Sequence, residues 1–307
     1  MKTALQTIRI LSDGRPGHEN QSVGLAEALR RRTGASVECV RWPAGAGLFK
    51  RIGLARAGGE GGVDLLIGAG HGTHLPLLAA ARKFGARSVV IMKPSLPRGL
   101  FDLCVVPRHD LAVPADSGNV VVTRGALNRI PEDAAVKTDT GVILIGGPSK
   151  HHDWNGAPLP AAIREIVRAR PELAWTVGDS RRTPAGFLDQ LAGVGASLAP
   201  HERTGAGWLP QTLGAAREVW VTEDSVSMVF EAVTAGARVG VLPMPRRNTK
   251  ARTVKAVDDL VADGYARTFA DWSADPARWG DTPRLHETGR CAELILKRFY
   301  LTTDWES

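Results

Sequence analysis

Short apolar runs alternate with longer amphipathic stretches along most of this 307-residue chain. A run of about four to eight apolar residues is typical of a strand buried in a parallel sheet, whereas apolar positions three or four apart indicate a helix. The pattern predicts strands at residues 7–11, 37–40, 64–68, 88–92, 103–106, 119–122, 141–145, 174–178, 196–198, 218–222 and 239–242. It predicts helices at residues 20–32, 48–56, 73–84, 160–170, 183–191, 225–235 and 285–299.

The alternation of strands and helices occurs twice, so the predicted fold is α/β, with two tandem Rossmann-like domains that each contain a doubly wound parallel sheet. A polar, weakly periodic segment at residues 130–140 is the predicted linker. We assign a first domain to residues 1–135, a second to 136–284 and a C-terminal helix to 285–307, which we expect to pack back on the first domain. Ligands bind beside the carboxyl ends of parallel strands, so we expect the chemistry in those loops and in a cleft between the domains.

The charge balance limits the class of partner. The 39 Lys and Arg residues exceed the 32 Asp and Glu residues, which gives a formal net charge of +7. Such an excess favours nucleic acid, an anionic membrane surface or an anionic small molecule such as a nucleotide. Aromatic residues make up only 6% of the chain, which also has no zinc-finger or RNP-like motif, and this argues against nucleic acid.

The remaining composition predicts a cytoplasmic protein. No apolar run reaches the length of a membrane span, and the first residues lack the apolar segment of a signal peptide. The three cysteines, Cys39, Cys104 and Cys291, are odd in number and widely spaced, so we expect neither a disulfide framework nor a structural zinc site.

The loop after the first predicted strand, Ser12–Gln21, carries the first candidate chemistry. Gly14 and Gly17 allow a tight turn, and the following helix offers unpaired N–H groups to an anion. His18 can take a proton from a hydroxyl group, with Asp13 or Glu19 orienting the imidazole. The alternative is that the polar side chains only cap the turn and that His18 is solvated.

The next loop, Gly68–His74, is a weaker candidate. It does not match the dinucleotide-binding glycine pattern, because no third glycine closes the motif. His71 and His74 have no carboxylate nearby in the sequence, so we predict no metal site here. The favoured interpretation is a helix N-terminus that is capped by Thr73.

Two loops of the second half combine small residues with cations. They are Gly146–Trp154 and Gly178–Pro184. Backbone and hydroxyl donors with a neighbouring Lys or Arg suit a diphosphate, but the order of residues is not that of a Walker loop. The candidate ligands are Gly147, Ser149, Lys150, Arg181, Arg182 and Thr183. Alternatively, Thr183 only starts a helix, and His151 and His152 form a surface pair.

The loop that follows strand 218–222 leads into an apolar helix. Ser225 and Ser227 can cap that helix or hold a phosphate at its N-terminus. Glu231 interrupts the apolar helix, and a carboxylate there can accept both hydroxyl groups of a ribose. Glu223 and Asp224 either belong to this site or only complement the helix dipole.

Six segments of the chain carry a family resemblance, and several of them are long enough to be specific: 12–21, 101–110, 122–130, 145–150, 180–184 and 222–228. Together they resemble the mitochondrial-fission (elongated-mitochondria) family of plants and its bacterial homologues, which are similar to GT-B glycosyltransferases. The resemblance implies an acceptor in the first domain, a nucleotide-sugar in the second and no metal or other cofactor. It also implies that the carboxylate of Glu231 contacts the nucleotide ribose. With these domain roles, the acceptor-side candidates are Gly14, Arg15, Gly17, Asn20 and His71. The donor-side candidates are Glu223, Asp224, Ser225, Ser227, Met228 and Glu231, in addition to the diphosphate candidates.

The predicted function is transfer of a sugar from a nucleoside-diphosphate-sugar to a hydroxyl acceptor, either lipid-linked or a cell-envelope saccharide. The plant proteins act in organelle fission, but the alanine-, glycine- and arginine-rich composition is typical of a bacterium, which favours an enzyme. The alternatives are a non-catalytic membrane-associated scaffold and an epimerase or hydrolase that acts on a nucleotide-sugar.

A basic amphipathic stretch at residues 42–57 raises a second interpretation of the charge. Leu48, Ile52 and Ala55 share one helical face beside Lys50, Arg51 and Arg56. Such a helix can lie on anionic lipid, which would place the protein on the inner face of the cell membrane. The simpler interpretation is a helix that packs on the first sheet.

Overall fold

The computed structural model describes residues 4–59, 61–111, 116–131, 136–205, 207–280 and 282–300. The chain divides into two compact units. Unit 1 comprises Met1–Arg129 and His286–Ser307, and unit 2 comprises Ile130–Leu285. Residues 132–135 of the predicted linker and residues 301–307 of the predicted C-terminal segment lie outside the described residues.

The regular elements are as follows. The strands are β1 Thr7–Ser12, β2 Ser36–Arg41, β3 Leu65–Ala69, β4 Arg87–Ile91, β5 Leu103–Pro107, β6 Val120–Thr123, β7 Thr138–Leu144, β8 Ala174–Gly178, β9 Ser197–Ala199, β10 Ala216–Thr222, β11 Arg238–Leu242 and β12 Arg267–Thr268. The α-helices are α1 Pro16–Thr33, α2 Leu48–Arg56, α3 His74–Phe84, α4 Leu159–Ala169, α5 Trp208–Ala215, α6 Val226–Ala235, α7 Arg252–Ala262, α8 Phe269–Ala274 and α9 Glu287–Phe299.

Unit 1 is built on a six-stranded sheet with the order β2-β1-β3-β4-β5-β6, in which each neighbouring pair is parallel. Successive side chains of a strand point to opposite faces, so Ile10 and Leu11 enter different cores. Ile10 packs with Leu29 of α1 and Ile295 of α9. Leu11 lies in the other core with Leu77 of α3. The sheet is therefore covered on both faces, which explains its nearly continuous apolar strands.

Unit 2 repeats this design with the order β12-β11-β10-β7-β8-β9, again with parallel pairs. One face packs on α6 and α7 through residues such as Phe230 and Val257. On the other face the fully buried Trp220 meets Trp272 and Trp279 in edge-on contacts, with ring centroids 5.0 and 5.2 Å apart. The prediction of two doubly wound parallel α/β units is confirmed.

Several predicted boundaries are wrong. Helix α1 begins at Pro16, whereas we predicted residue 20, because proline is favoured in the first turn even where apolar periodicity has not begun. The predicted helix 183–191 is only a 3-10 turn at Leu188–Leu191, since Gly186 adopts a left-handed φ of +76°. The last part of the predicted linker belongs to β7. Elements α5, α7, α8 and β12 were not predicted. None of the helices in the described ranges combines the length and apolar character that a bilayer span requires.

Candidate functional site

The loop at the carboxyl end of β1 holds His18 against Asp13. Gly14 adopts a φ of +77°, which lets the chain turn sharply, and Pro16 then starts α1. The Asp13 Oδ1 atom accepts a hydrogen bond of 3.1 Å from the Arg15 N–H group, and its Oδ2 atom lies 2.9 Å from His18 Nδ1. The His18–Asp13 pair, called the dyad below, is therefore formed by one tight turn and the first turn of one helix.

The neighbouring strand makes room for the imidazole. Strand β3 pairs with β1, and Gly70 follows it directly. A Cβ atom on Gly70 would lie only 2.3 Å from His18 Cε1, and Gly70 also has a φ of +79°. No other residue type fits this position without moving the ring, so the glycine that follows β3 helps to fix where His18 lies.

The dyad has the arrangement that a general base requires. A neutral imidazole whose Nδ1–H group donates to Asp13 keeps a lone pair on Nε2. Within the described part of the chain, His18 Nε2 has no hydrogen-bond partner. The side chain of His18 is 17% exposed and that of Asp13 is 11% exposed, so the pair is sheltered but remains accessible. Nε2 can accept a proton from a bound hydroxyl group.

Glu19 does not take part in this dyad, although we considered it as the orienting or substitute carboxylate. Its Oε2 atom accepts hydrogen bonds from Ser12 Oγ at 2.8 Å and from Arg41 Nε at 3.1 Å, and Arg41 also forms an ion pair with it. Burial alone would raise the pKa of Glu19, but these bonds outweigh it and lower the pKa. A carboxylate held in this way is a weak base, which leaves Asp13 as the partner of His18.

The other acceptor-side candidates lie around this turn with less defined roles. Arg15 is 65% exposed, and its Nε atom lies 3.8 Å from Asp13 Oδ2. His71 is exposed, whereas His74 is buried against Phe101 and lies 3.2 Å from Ser95 Oγ. Burial lowers the pKa of His74. The Thr73 hydroxyl bonds to the Gly70 carbonyl and does not cap α3, so that prediction is wrong. Gly17 and Asn20 lie on the first turns of α1.

In unit 2, the loops that follow β7 and β10 are bonded to each other. The Gly146 N–H group donates to Thr222 Oγ1 at 2.7 Å, and the Gly147 N–H group donates to Asp224 Oδ2 at 2.9 Å. A Cβ atom on Gly147 would lie 2.0 Å from the carbonyl oxygen of Arg182 in the loop after β8. The two glycines therefore allow three strand ends to approach closely. Their N–H groups are already hydrogen-bonded within the protein.

Arg182 joins the same three loops. Its NH2 atom lies 2.8 Å from Asp224 Oδ2 and 2.6 Å from Ser225 Oγ, and its NH1 atom donates to the Gly147 carbonyl at 2.7 Å. The Asp224 side chain is fully buried, whereas that of Arg182 is 39% exposed. The guanidinium compensates the buried carboxylate, so most of its charge is engaged inside the protein.

Two predicted phosphate-binding hydroxyls are also engaged. Ser149 Oγ accepts hydrogen bonds from the backbone N–H groups of His151 and His152 at 3.3 and 3.1 Å, which closes a local turn. Thr183 Oγ1 donates to the carbonyls that follow β7, with a distance of 3.0 Å to Ile145. Ser225 lies at the N-cap of α6 without a side-chain capping bond, because its hydroxyl faces Arg182 and Asp224.

Glu223 has a structural partner that we did not predict. Arg246, which follows β11, donates to its Oε2 atom from Nε at 3.0 Å and from NH2 at 2.6 Å. The Met244 N–H group donates to its Oε1 atom, and Asp258 of α7 holds the other side of Arg246. No local sequence pattern indicates this pair, because Glu223 and Arg246 meet only through the adjacency of β10 and β11.

His152 is a second polar residue whose environment was not predicted from the sequence. We considered it part of a surface pair, but it is 2% exposed. Burial lowers its pKa, although Glu223 and Asp224 act in the opposite direction. Within the described residues, neither His152 Nε2 nor Asp224 Oδ1 has a hydrogen-bond partner.

Three of the remaining donor-side candidates, Lys150, Arg181 and Ser227, stay available for a ligand among the described residues. Lys150 and Arg181 are exposed and follow β7 and β8, and Ser227 is exposed on the first turn of α6. None of these three side chains has a hydrogen bond or ion pair among the described residues. The first N–H groups of α6 lack intrahelical partners and attract an anion. Glu231 is only 9% exposed on the same helix, with Met228 half-buried one turn before it.

Comparisons with known proteins show which family and which fold this chain resembles. The model of the mitochondrial fission ELM1 family matches residues 16–299. MurG of Acinetobacter baumannii is 17% identical with a TM-score of 0.53, and the match covers 95% of this chain and 99% of MurG. UDP-GlcNAc 2-epimerase of Neisseria meningitidis, bound to UDP-GlcNAc, is 14% identical with a TM-score of 0.55, over 95% of this chain and 99% of the epimerase.

A third solved structure, UGT2 of Phytolacca americana complexed with UDP-2-fluoro-glucose and pterostilbene, is 13% identical with a TM-score of 0.50, over 97% of this chain and 91% of UGT2. At such identities the likeness concerns the fold, and it confirms the predicted GT-B architecture. No curated protein is significantly similar to the chain. Within the described residues, no group of three or more His, Cys, Asp or Glu side chains could hold a metal ion.

Proposed function

This chain belongs to the mitochondrial fission ELM1 family, and from that premise we propose that it is a glycosyltransferase. It would move a sugar from a nucleoside-diphosphate-sugar to a hydroxyl group of an acceptor, a lipid-linked or cell-envelope saccharide. The observation that carries the proposal is the His18–Asp13 pair, 2.9 Å between Nδ1 and Oδ2, with Nε2 free among the described residues.

In this proposal, unit 1 activates the acceptor. His18 Nε2 takes the proton of the acceptor hydroxyl as its oxygen forms a bond to the anomeric carbon of the sugar. Asp13 holds the ring in the tautomer that accepts this proton and stabilises the imidazolium that results. The bond between the anomeric carbon and the phosphate oxygen breaks at the same time, and the nucleoside diphosphate leaves with the electron pair.

Unit 2 would bind the donor. Among the described residues, the N–H groups at the start of α6, Ser227, Lys150 and Arg181 remain free to hold the diphosphate and to neutralise the charge of the leaving group. Glu231 is the candidate for the ribose hydroxyls. Arg182 and Asp224 would act indirectly, since their mutual bonds fix the loops in which the free groups lie.

A panel of UDP-, GDP-, ADP- and CMP-sugars, titrated calorimetrically into the chain, tests this function. We expect one nucleotide class to bind with micromolar to millimolar affinity, and the Lys150→Ala/Arg181→Ala double variant to bind it at least tenfold more weakly. If none of the four classes binds at millimolar concentration, the chain is not a nucleotide-sugar enzyme. NMR analysis of products then separates transfer from epimerisation or hydrolysis, which would yield an inverted or a free sugar.

A membrane-associated scaffold is the second candidate, and exposed apolar residues favour it. Phe49 is 89% exposed and Leu48 is 42% exposed at the start of α2, beside the exposed Lys50. This is not the face that we predicted for lipid, because Ala55 is fully buried and packs in the core. An exposed phenylalanine next to lysine suits an anionic lipid surface.

Vesicle flotation tests the membrane association, and catalytic variants separate the two candidates. A lipid-binding α2 predicts that Phe49→Ala reduces flotation with anionic vesicles, whereas Val136→Ala does not, although Val136 is also 86% exposed. Equal flotation with neutral and anionic vesicles would contradict an electrostatic contribution. A scaffold without catalysis further requires that His18→Ala and Glu231→Ala leave cellular function intact.

A further inference from the structure

Cationic side chains cluster at the amino-terminal edge of the sheet in unit 2, opposite the strand ends discussed above. Lys137 directly precedes β7, Arg217 is the second residue of β10, and Arg238 begins β11. Arg170 ends α4 just before β8. Because these strands are neighbours in the order β11-β10-β7-β8, the sheet topology brings the four cations to one edge.

These side chains line a cavity of about 470 Å³. Its wall also contains Glu172, Gly236 and Thr282. The buried Glu218 interacts electrostatically with both Arg170 and Arg238. Strands of this length separate the two edges of the sheet by roughly 20 Å, which makes the cavity distinct from the proposed donor site.

Local ion pairs satisfy part of this charge. Arg170 lies 3.1 Å from the fully buried Glu218 and 3.5 Å from Glu172. Arg217 lies 2.9 Å from Asp139, but both side chains are about half exposed or more. An exposed pair of this kind contributes little stability and is readily exchanged for a better anion.

Lys137 has no carboxylate partner among the described residues. Its Nζ atom donates to the Ala235 and Leu213 carbonyls at 2.8 and 3.2 Å, near the ends of α6 and α5. Burial, and to a lesser extent the charge of Arg284, lower the pKa of Lys137 to about 8. The helix ends explain the position of the ammonium group, but they do not neutralise it with a formal negative charge.

We propose that this cavity is an anion-binding site for a small, multiply charged phosphate compound, with inorganic pyrophosphate as the simplest representative. Lys137, Arg217 and Arg238 supply the charge from three adjacent strands. The volume holds a small molecule, and planar guanidinium groups bind phosphate oxygens in pairs.

Calorimetric titration of inorganic pyrophosphate into the full chain at low ionic strength tests the site. The Arg217→Gln/Arg238→Gln variant should lose at least tenfold in affinity at the cavity and keep only the binding that the donor side supports. The matched control is Lys150→Gln/Arg181→Gln, which removes two cations from the donor side and should retain binding in the cavity. Circular dichroism checks that each variant is folded, and the single Arg217→Gln variant, at a half-exposed position, replaces the double variant if that one does not fold.

Three results would overturn the proposal. The first is an absence of pyrophosphate binding to the unmodified chain at millimolar concentration. The second is unchanged affinity in the Arg217→Gln/Arg238→Gln variant. The third is loss of all binding in Lys150→Gln/Arg181→Gln, which would assign the anion to the donor side only.

Discussion

The strand-end loops of the two units differ in how far their polar groups are already bonded. In unit 1, Asp13 holds one nitrogen of His18 and the other nitrogen stays free among the described residues. In unit 2, Arg182, Asp224 and Ser225 bond to one another, whereas the neighbouring Arg181 has an unpaired side chain among the described residues. A charged residue in a strand-end loop is therefore not by itself a ligand, because such residues can bond to one another and hold the loops in place.

The largest expected effect concerns the dyad. His18→Ala should lower kcat about 10²- to 10⁴-fold, because the acceptor hydroxyl loses its base, and Asp13→Asn should lower it less. Initial rates of sugar transfer measure this. Glu19→Gln is the control, since its carboxylate bonds to Arg41 and Ser12. An equal loss of rate in Glu19→Gln and His18→Ala would show that the assignment of the base is wrong.

The next effect concerns the close approach of the loops in unit 2. Gly147→Ala should lower the free energy of unfolding by about 3 kcal/mol, because the new methyl group would lie 2.0 Å from a backbone carbonyl. Gly205→Ala is the matched control in the same unit, because its Cβ atom would have no neighbour within 4 Å. Urea denaturation compares them, and equal stabilities would contradict the packing of these loops.

Neighbouring arginines provide the third comparison. Arg182→Met leaves the buried Asp224 uncompensated and should lower the free energy of unfolding by about 2 kcal/mol. This loss is smaller than for a fully buried ion pair, because Arg182 is 39% exposed. Arg181→Met should change stability by less than about 0.5 kcal/mol, since that side chain is exposed and unpaired among the described residues. A double-mutant cycle with Asp224→Asn measures the coupling, and the absence of coupling would contradict a structural role for Arg182.

The smallest effect concerns Lys137. Its pKa in the folded chain is about 8, below its ordinary value of 10.5, so the unfolded chain binds more protons between these values. Stability should therefore rise with pH from about 8 to about 10, relative to Lys137→Met, by on the order of 1 kcal/mol after allowance for solvent screening. Denaturation across this pH range measures it. A difference that falls with pH would contradict an ammonium group destabilised by burial.

The sequence predicted most of the fold because buried parallel strands are nearly continuous apolar runs, as in Leu65–Ala69 and Leu103–Pro107. It missed Arg252–Ala262 although Val254, Val257 and Leu260 follow helical spacing there. It placed a helix at 183–191, where Gly186 adopts a left-handed φ and only a short 3-10 turn forms.

In the candidate site, contacts between residues close in sequence could be predicted, whereas contacts across the sheet could not. Asp13 and His18 are five residues apart in one turn, so local reasoning could pair them. Arg182 and Asp224 meet only because β8, β7 and β10 are adjacent, and Glu223 meets Arg246 because β10 lies beside β11. Residue types in a loop do not reveal which of them bond to each other across a sheet, so the sequence did not show that Arg182, Thr183 and Ser225 are hydrogen-bonded within the protein.

The central claim is that unit 2 binds a nucleotide donor through its unpaired cations, whereas His18 serves the chemistry. Calorimetric titration of the nucleotide-sugar selected from the panel into three proteins tests it most directly: the unmodified chain, His18→Ala and Lys150→Ala/Arg181→Ala. We predict equal dissociation constants for the first two and at least a tenfold increase for the third. Donor affinity that is unchanged in Lys150→Ala/Arg181→Ala, or lost in His18→Ala, would contradict this division of roles.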